Sequence, residues 1–180
     1  MMLAFARPAM VGALLPSSRG LARAMAREAD GAELVIELGA GTGAITEALR
    51  QRHPLRPMVA VELQPELAEH LAMRFPGVDV RAEPAHKVLR SLQAAKPRVV
   101  VVSSLPFRSL PRRWREPSSL AIEHYLLGDA RRHLVQYTYQ PRAPFDLQHA
   151  DRLAWYKRRI VWRNAPPAWV WVLRSQSAIA

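Results

Sequence analysis

Two acidic side chains and a glycine-rich turn give this chain residues that could bind a flat ligand carrying positive charge. Glu37 stands just before three alternating glycines, Gly39, Gly41 and Gly43, and Glu62 ends a later apolar run. Glycine has no Cβ and readily adopts positive φ, so the backbone of such a turn can lie close against an adenosine group. A carboxylate before the turn can face a cationic group, and one at the end of the next strand can accept hydrogen bonds from both ribose hydroxyls.

The segments around these residues predict a strand, a turn and a helix. Residues 34–38 are apolar except for the acid and include two β-branched side chains, which is typical of a buried parallel strand. Residues 44–52 continue as a helix, and residues 58–62 form a second apolar strand. This order places both acids and the glycine turn at the carboxyl edge of a parallel sheet, where open α/β sheets bind ligands.

Two classes of cofactor fit the turn. Gly39, Gly41 and Ala44 match the dinucleotide fingerprint, and Glu62 lies near the position of its ribose-binding acid. The same turn matches E-x-G-x-G-x-G, the loop of Rossmann-like methyltransferases that bind S-adenosylmethionine. Glu37 favours the second class, because a carboxylate repels a pyrophosphate and attracts an ammonium or a sulfonium. A strand-to-helix connection that binds no ligand is the third interpretation.

The rest of the chain alternates strands with helices, which predicts an α/β fold with a doubly wound sheet. Further strands are predicted at residues 78–80, 98–102 and 134–138, and further helices at residues 65–74, 84–95 and 118–127. The end of the chain predicts an antiparallel hairpin of strands 160–162 and 168–173. We expect a helical segment over residues 1–30 and a single cofactor-binding domain over residues 31–180.

Composition narrows the class of protein. The 180 residues contain no cysteine, so thiol catalysis and disulfides are excluded, which suits the cytoplasm. The six histidines lack the spacing of metal ligands, so no metal is expected. No apolar run is long enough to cross a bilayer, and no cleavage pattern follows the apolar start of the chain. The expected location is the cytoplasm, with room for peripheral contact with the inner membrane.

Positive charge is concentrated in the second part of the chain. The formal net charge is +11, and residues 103–180 hold 13 Lys and Arg against five Asp and Glu. Arginine outnumbers lysine 23 to 3. Guanidinium groups pair with phosphate through two hydrogen bonds, which indicates an anionic partner such as a phospholipid surface or RNA. A guanine-rich genome would give the same bias without any such partner.

A helix is predicted ahead of the first strand, with Ser17 or Ser18 as its N-cap. One face carries apolar side chains from Leu21 to Ala26, and another carries arginines. The helix can pack across the sheet, or it can lie in a membrane interface with its arginines at the phosphates. Both interpretations stay open at this point.

A proline-containing motif follows the predicted fourth strand and faces the same crevice as the glycine turn. It consists of Ser103, Ser104, Leu105, Pro106 and Phe107. Such a position, at the carboxyl end of a central parallel strand, is where this class of sheet places its chemistry.

With these motifs the chain resembles the class I S-adenosylmethionine-dependent methyltransferases, and more narrowly the bacterial phospholipid N-methyltransferases. The broad resemblance rests on VIELGAGTG, on the acid of VAVEL and on a seventh strand expected antiparallel near the end of the sheet. The narrow resemblance rests on four segments in order, which are VGALLPSSRGLARAMA, SSLPF, VQYTY and VWRNAPPAWVWVLR. It implies a seven-stranded Rossmann-like fold and S-adenosylmethionine as the cofactor.

The resemblance also implies roles for particular residues. The predicted cofactor contacts are Glu37, Gly39, Ala40, Gly41, Thr42, Gly43, Glu62, Leu63, Glu83 and Ser103. The predicted catalytic residues are Ser104, Leu105, Phe107 and Tyr139. Ser104 and the carbonyl of Leu105 would orient an amine, and Phe107 would stabilise the methylated cation through its ring. Tyr137 and Tyr139 alternate along a strand, so both are expected to face the acceptor.

Three positions depart from the family pattern. Glu83 and Pro84 stand where the family commonly has Gly-Asp, so Glu83 is the expected replacement for the adenine-contacting acid. Residues 128–130 replace a Pro-Gly-Gly type turn, and the segment before Pro8 is shorter and less basic than the family's membrane-binding helix. These departures keep a third function open, a cofactor-binding protein without catalysis.

The rRNA adenine dimethyltransferases are also similar to this chain, through the glycine turn and the motif after the fourth strand. Their acceptor loop reads Asn-Leu-Pro-Tyr, whereas this chain has Ser104 in place of the asparagine. RNA is therefore the alternative acceptor. The first prediction is methylation of the amine of phosphatidylethanolamine, with the lipid phosphate held by Arg108, Arg112, Arg113 and Arg115.

Overall fold

The computed structural model describes residues 18–92 and 98–179. The first part of the helical segment predicted over residues 1–30, and the last turn of the helix predicted over residues 84–95, lie outside the described residues. Within the described part, strands and helices alternate along the chain before a closing hairpin. The strands are β1 (Leu34–Leu38), β2 (Met58–Val61), β3 (Asp79–Arg81), β4 (Val99–Ser103), β5 (His133–Thr138), β6 (Leu153–Val161) and β7 (Ala168–Ser175). The α-helices are α1 (Arg19–Arg27), α2 (Ala44–Arg52), α3 (Pro65–Arg74), α4 (Ala85–Ser91) and α5 (Arg112–Leu127).

The seven strands form one sheet in the order β3-β2-β1-β4-β5-β7-β6. The first five strands in sequence are parallel, and β7 lies antiparallel between β5 and β6, as the sequence predicted. Leu38 at the end of β1 pairs with Val61 on one side and with Ser103 on the other. The glycine turn, Glu62 and the motif after β4 therefore meet at one edge of the sheet.

Helices cover both faces of the sheet, and the central strand β4 shows this most clearly. Val100 and Val102 join the core under α1 and α2, while Val99 and Val101 join the core under α4 and α5. All four side chains are buried. A strand buried on both faces needs apolar residues at every position, which explains why this segment lacks the polar alternation of a half-exposed strand.

Helix α1 packs across the sheet through its apolar face. Ser18 is its N-cap, because its Oγ accepts a hydrogen bond from the amide of Leu21 at 3.2 Å. Leu21 and Met25 are fully buried in the core formed with α2, whereas Arg23 and Arg27 are exposed. Of the two interpretations of this helix, the structure shows the first, because the apolar side chains of α1 lie against the sheet. No helix in residues 18–92 and 98–179 has the length and apolar character needed to cross a membrane.

Two predicted boundaries were wrong. Helix α5 begins at Arg112 instead of Ser118, which lies buried inside it, because Pro117 is accommodated in the second turn. Strand β6 begins at Leu153 instead of 160, since an edge strand exposes one side and can carry the charged residues 157–159.

Candidate functional site

The glycine turn between β1 and α2 is held tightly to the end of β2. The amides of Gly39 and Ala40 both donate to the carbonyl of Val61, at 2.8 and 3.1 Å. Gly39, Gly41 and Gly43 all have positive φ, with values of 75°, 55° and 84°. A non-glycine residue in this region loses stability through contact of its Cβ with the following carbonyl. The turn therefore requires glycine at alternate positions, as the sequence predicted.

The three glycines meet different surroundings. A Cβ on Gly43 would lie 2.7 Å from the ring of Phe75 and 2.8 Å from a methyl group of Leu71. A Cβ on Gly39 would lie 3.0 Å from a methyl group of Leu105. A Cβ on Gly41 would meet nothing within 4 Å. Gly43 and Gly39 therefore serve close packing, while the open space beside Gly41 can admit a ligand.

Glu37 is fully buried beneath the turn. Its Oε2 accepts a hydrogen bond from the hydroxyl of Thr46 at 2.7 Å, and its Oε1 is buried without a hydrogen-bond partner in the described part of the chain. Burial raises the pKa of Glu37 to about 8, against the opposing effect of the Thr46 hydrogen bonds. A nearby cation would favour the ionised carboxylate. Thr46 was not predicted, although a hydroxyl among the apolar residues of α2 was a visible signal.

Glu62 holds the turn with both carboxylate oxygens. Oε2 accepts from the amide of Gly41 at 2.8 Å, and Oε1 accepts from the amide of Gln64 at 3.0 Å. The side chain is buried, yet an ionised carboxylate has about four acceptor positions, so further donors can bind. The predicted role of Glu62 toward ribose hydroxyls is compatible with this arrangement and stays a prediction.

Arg74 ties the turn to two helices, and sequence reasoning missed it. Its guanidinium donates to the carbonyl of Thr42 at 3.0 Å and to Glu47 at 2.6 Å, and it lies over the ring of Phe75. Arg74 ends α3 while Glu47 lies in the first turn of α2. Only the packing of these two helices brings the pair together, so spacing along the chain gave no signal.

The motif after β4 forms a tight turn beside the glycine turn. The amide of Ser104 donates to the carbonyl of Leu38 at 2.9 Å, and the amide of Leu105 donates to the Oγ of Ser103 at 3.2 Å. The carbonyl of Leu105 accepts two hydrogen bonds, from the amide of Phe107 at 2.9 Å and from Nε2 of Gln136 at 3.1 Å. Ser103 is buried under the turn, so it shapes the site through the backbone.

Phe107 is part of the core rather than an exposed ring. It is 2% exposed, and its ring centroid lies 4.6 Å from that of Phe145. Phe145 in turn packs edge-on against Trp155. The ring of Phe107 fixes the turn from below, and its predicted contact with a methylated cation stays a prediction.

A cavity of about 280 Å³ opens between the turn after β4 and the end of β5. Its walls are formed by the segments 104–109 and 136–140 together with Pro144. Tyr137 and Tyr139 lie on the same side of β5, with ring centroids 5.5 Å apart. Thr138 points the other way, because its hydroxyl accepts from the indole of Trp171 at 3.0 Å. Tyr137 and Tyr139 therefore share a side that Thr138 does not, and their predicted role toward an acceptor stays a prediction.

The remaining predicted residues are divided between the cavity wall and other positions. Leu63 and Glu83 are exposed beside the ends of β2 and β3. Arg108 lines the cavity and donates to the carbonyl of Ala143 at 3.0 Å. The other three predicted phosphate ligands, Arg112, Arg113 and Arg115, lie in the first turn of α5. No group of His, Asp and Glu side chains in residues 18–92 and 98–179 is arranged to hold a metal ion.

Comparisons with known proteins bear on the whole arrangement. No family model matches the chain. It is 34% identical over 110 residues to an ornithine lipid N-methyltransferase of Singulisphaera acidiphila, an alignment that covers 57% of each protein. It is 42% identical over 53 residues to an uncharacterized methyltransferase-like protein of Schizosaccharomyces pombe, which covers 29% of this chain and 20% of that protein. The chain therefore spans little more than half of one curated relative and a fifth of the other.

Solved structures share the fold over most of the chain. One is a 1,6-didemethyltoxoflavin-N1-methyltransferase of Burkholderia thailandensis with bound S-adenosylhomocysteine, at TM-score 0.63 and 16% identity, covering 88% of this chain and 78% of that one. Another is a TehB-like SAM-dependent methyltransferase of Corynebacterium glutamicum, at TM-score 0.58 and 16% identity, covering 86% and 87%. The chain has the fold of the class I S-adenosylmethionine-dependent methyltransferases.

Proposed function

We propose that this protein is an S-adenosylmethionine-dependent methyltransferase that acts on the amine of a lipid headgroup, with phosphatidylethanolamine as the acceptor. One observation carries the proposal. The glycine turn, which lies over the buried acids Glu37 and Glu62, adjoins a separate cavity through Leu105, whose methyl group approaches Gly39 and which also lines the cavity. A donor site and an acceptor site that share a wall are the arrangement that group transfer needs.

The residues of the turn fit S-adenosylmethionine. The unpartnered Oε1 of Glu37 suits the ammonium of its methionine end, and the open space beside Gly41 suits its adenosine. Glu62 retains acceptor positions for the ribose hydroxyls. When bound, the cofactor would supply a methyl group activated by a sulfonium. A dinucleotide fits less well, because its pyrophosphate offers no cation to the unpartnered Oε1 of Glu37.

The chain itself would hold the acceptor amine and keep water away from it. A transfer would form a bond from the amine nitrogen to the methyl carbon as the bond from that carbon to sulfur breaks, so the chain must present the amine with its lone pair free. The methylated nitrogen would carry a positive charge and would lose a proton to water when the product leaves the cavity. Ser104 and Tyr139 lie in the cavity wall, where they can orient an amine before this step.

A lipid amine is supported by the cavity and by one relative. Aromatic and proline side chains line much of the cavity, and Arg108 stands at its wall, where a headgroup phosphate could pair with the guanidinium. The relative from Singulisphaera acidiphila is named for N-methylation of ornithine lipid, an amine-bearing lipid. Attraction of arginines to an anionic surface is worth roughly 1 kcal/mol each and is screened by salt. Activity on vesicles should therefore rise with anionic lipid and fall with ionic strength.

The test is transfer of a tritiated methyl group from S-adenosylmethionine to three acceptors offered to one preparation. These are phosphatidylethanolamine vesicles, ornithine lipid vesicles and ribosomal RNA. We expect label in phosphatidylethanolamine, and none with Gly41→Val, whose side chain would fill the open space beside the turn. Label in ornithine lipid alone would move the assignment to that headgroup, and label in RNA alone would overturn it.

Calorimetry tests the cofactor separately from the acceptor. The wild-type protein should bind S-adenosylhomocysteine and bind NAD far more weakly, because of the buried acid at the turn. Tighter binding of NAD would refute the cofactor assignment. Binding of S-adenosylhomocysteine without label in any acceptor would indicate a cofactor-binding protein without catalysis on these substrates.

A further inference from the structure

The side-chain amide of Gln136 has a fixed orientation in the cavity wall. Its Nε2 donates to the carbonyls of Leu105 and Tyr137, both at 3.1 Å. Carbonyl oxygens only accept hydrogen bonds, so the amide nitrogen must face them, and a reversed amide would bring oxygen against oxygen. The amide oxygen Oε1 therefore lies away from both carbonyls.

That oxygen has an unused capacity to accept hydrogen bonds. Gln136 is 2% exposed, and its Oε1 is buried without a hydrogen-bond partner among residues 18–92 and 98–179. Buried polar atoms without partners are uncommon in folded proteins, and each requires an explanation. Gln136 lines the cavity together with Ser104 and Tyr139, so a donor on a molecule bound there would supply the missing partner.

The sequence predicted that the carbonyl of Leu105 would accept a hydrogen bond from the amine, but this carbonyl already has two hydrogen-bond donors. It accepts from the amide of Phe107 and from Nε2 of Gln136, and a carbonyl oxygen has two lone pairs. No lone pair is left on it for an amine. Gln136 donates to this carbonyl through Nε2, and its own Oε1 is an acceptor without a partner.

We infer that Oε1 of Gln136 accepts a hydrogen bond from an N–H of the acceptor amine, and so selects acceptors that still carry an N–H. The inference rests on the proposed function and names how the same cavity recognises its substrate. A neutral primary amine has two N–H groups, a secondary amine has one, and a tertiary amine has none. With its lone pair directed at the methyl carbon, the amine can give an N–H to Gln136 in a first and a second transfer only.

The test compares two headgroups in one variant. Gln136→Met keeps the length of the side chain and removes Oε1. It also frees the carbonyl of Leu105, so the readout is a ratio of affinities, which a general change in the turn would not alter. The protein saturated with S-adenosylhomocysteine is titrated by calorimetry with short-chain phosphatidylethanolamine and, separately, with short-chain phosphatidylcholine, whose nitrogen has no N–H.

We expect the wild type to prefer the ethanolamine lipid by about tenfold, the scale of one hydrogen bond from a charged donor. The preference should disappear in Gln136→Met and persist in Gln140→Met, a control at an exposed position of the same cavity. A wild type that binds both lipids equally or binds neither, or a Gln136→Met variant with the wild-type preference, would overturn the inference. A lost preference together with tritium in RNA alone would leave the amine selectivity standing and refute the lipid assignment.

Discussion

The buried carboxyl group of Glu37 should control how the stability of this protein depends on pH. Burial raises its pKa from 4.5 to about 8 in the folded protein. Below pH 4.5 the group is protonated in both the folded and the unfolded state. Between these two pKa values the unfolded state ionises while the folded state keeps its proton. The contribution of Glu37 to stability is therefore fully present below pH 4.5 and is lost as the pH rises through 8.

The size of the effect follows from the shift. Each pH unit between the two pKa values lowers the free energy of unfolding by about 1.4 kcal/mol, so the interval from pH 5 to pH 8 is worth about 4 kcal/mol. Glu37→Gln preserves the shape and does not titrate. The assay is urea unfolding of wild type and variant at pH 5, 6.5 and 8 at constant ionic strength. The difference in unfolding free energy between them should fall by about 4 kcal/mol over this range.

Glu47→Gln is the matched control, because Glu47 is also a glutamate near the glycine turn, in the first turn of α2, but has a half-exposed side chain. Its stability should follow the wild-type dependence on pH, with a constant offset. The same reasoning links Glu37 to its ligand, since an ammonium beside the carboxyl favours ionisation and binding at pH 7 should release a proton. Parallel stability curves for wild type and Glu37→Gln would refute the pKa argument, whatever the two proteins bind.

Four further substitutions test the stability of the fold and the binding of the cofactor. Gly43→Ala should lower the free energy of unfolding in urea by about 2–5 kcal/mol, because its Cβ would overlap a ring and a methyl group and the residue has positive φ. Gly41→Ala should lower the same free energy by about 1–2 kcal/mol, yet it should remove the binding of S-adenosylhomocysteine in calorimetry. Arg74→Met should weaken that binding severalfold with a small change in unfolding, because it releases the carbonyl of Thr42. Glu123→Gln should cost about 1–3 kcal/mol in the same unfolding assay, because the buried carboxylate accepts from the amides of residues 148 and 149.

The sheet and the glycine turn were predictable because their signals are local. A strand buried on both faces must be apolar throughout, and residues 99–102 are four valines. The turn requires positive φ at three positions, and each of them is glycine. The cap at Ser18 follows from the preference of hydroxyls for a helix N-terminus. In each case a few neighbouring residues decide the conformation.

The missed features depend on contacts between distant segments. Gln136 meets Leu105 because β5 lies beside β4, and no pattern within VQYTY indicates that the glutamine side chain reaches the turn after another strand. Arg74 reaches Glu47 only when α3 packs beside α2. The sequence predicted too late a start for α5, because two prolines in residues 111–117 favoured a loop. The packed helix instead accommodates Pro117. Tertiary contacts decided all three.

Leu105 joins the two halves of the candidate site. One of its methyl groups lies 3.0 Å from the position that a Cβ on Gly39 would take, so the residue limits how the glycine turn can shift. Its amide is held by the Oγ of Ser103, and its carbonyl is held by Phe107 and Gln136. A backbone bonded at both its amide and its carbonyl has little freedom to rotate. A shift of the glycine turn on cofactor binding would therefore displace Leu105, and with it the side chain of Gln136. Leu105 thus couples the cofactor site to the wall of the acceptor cavity.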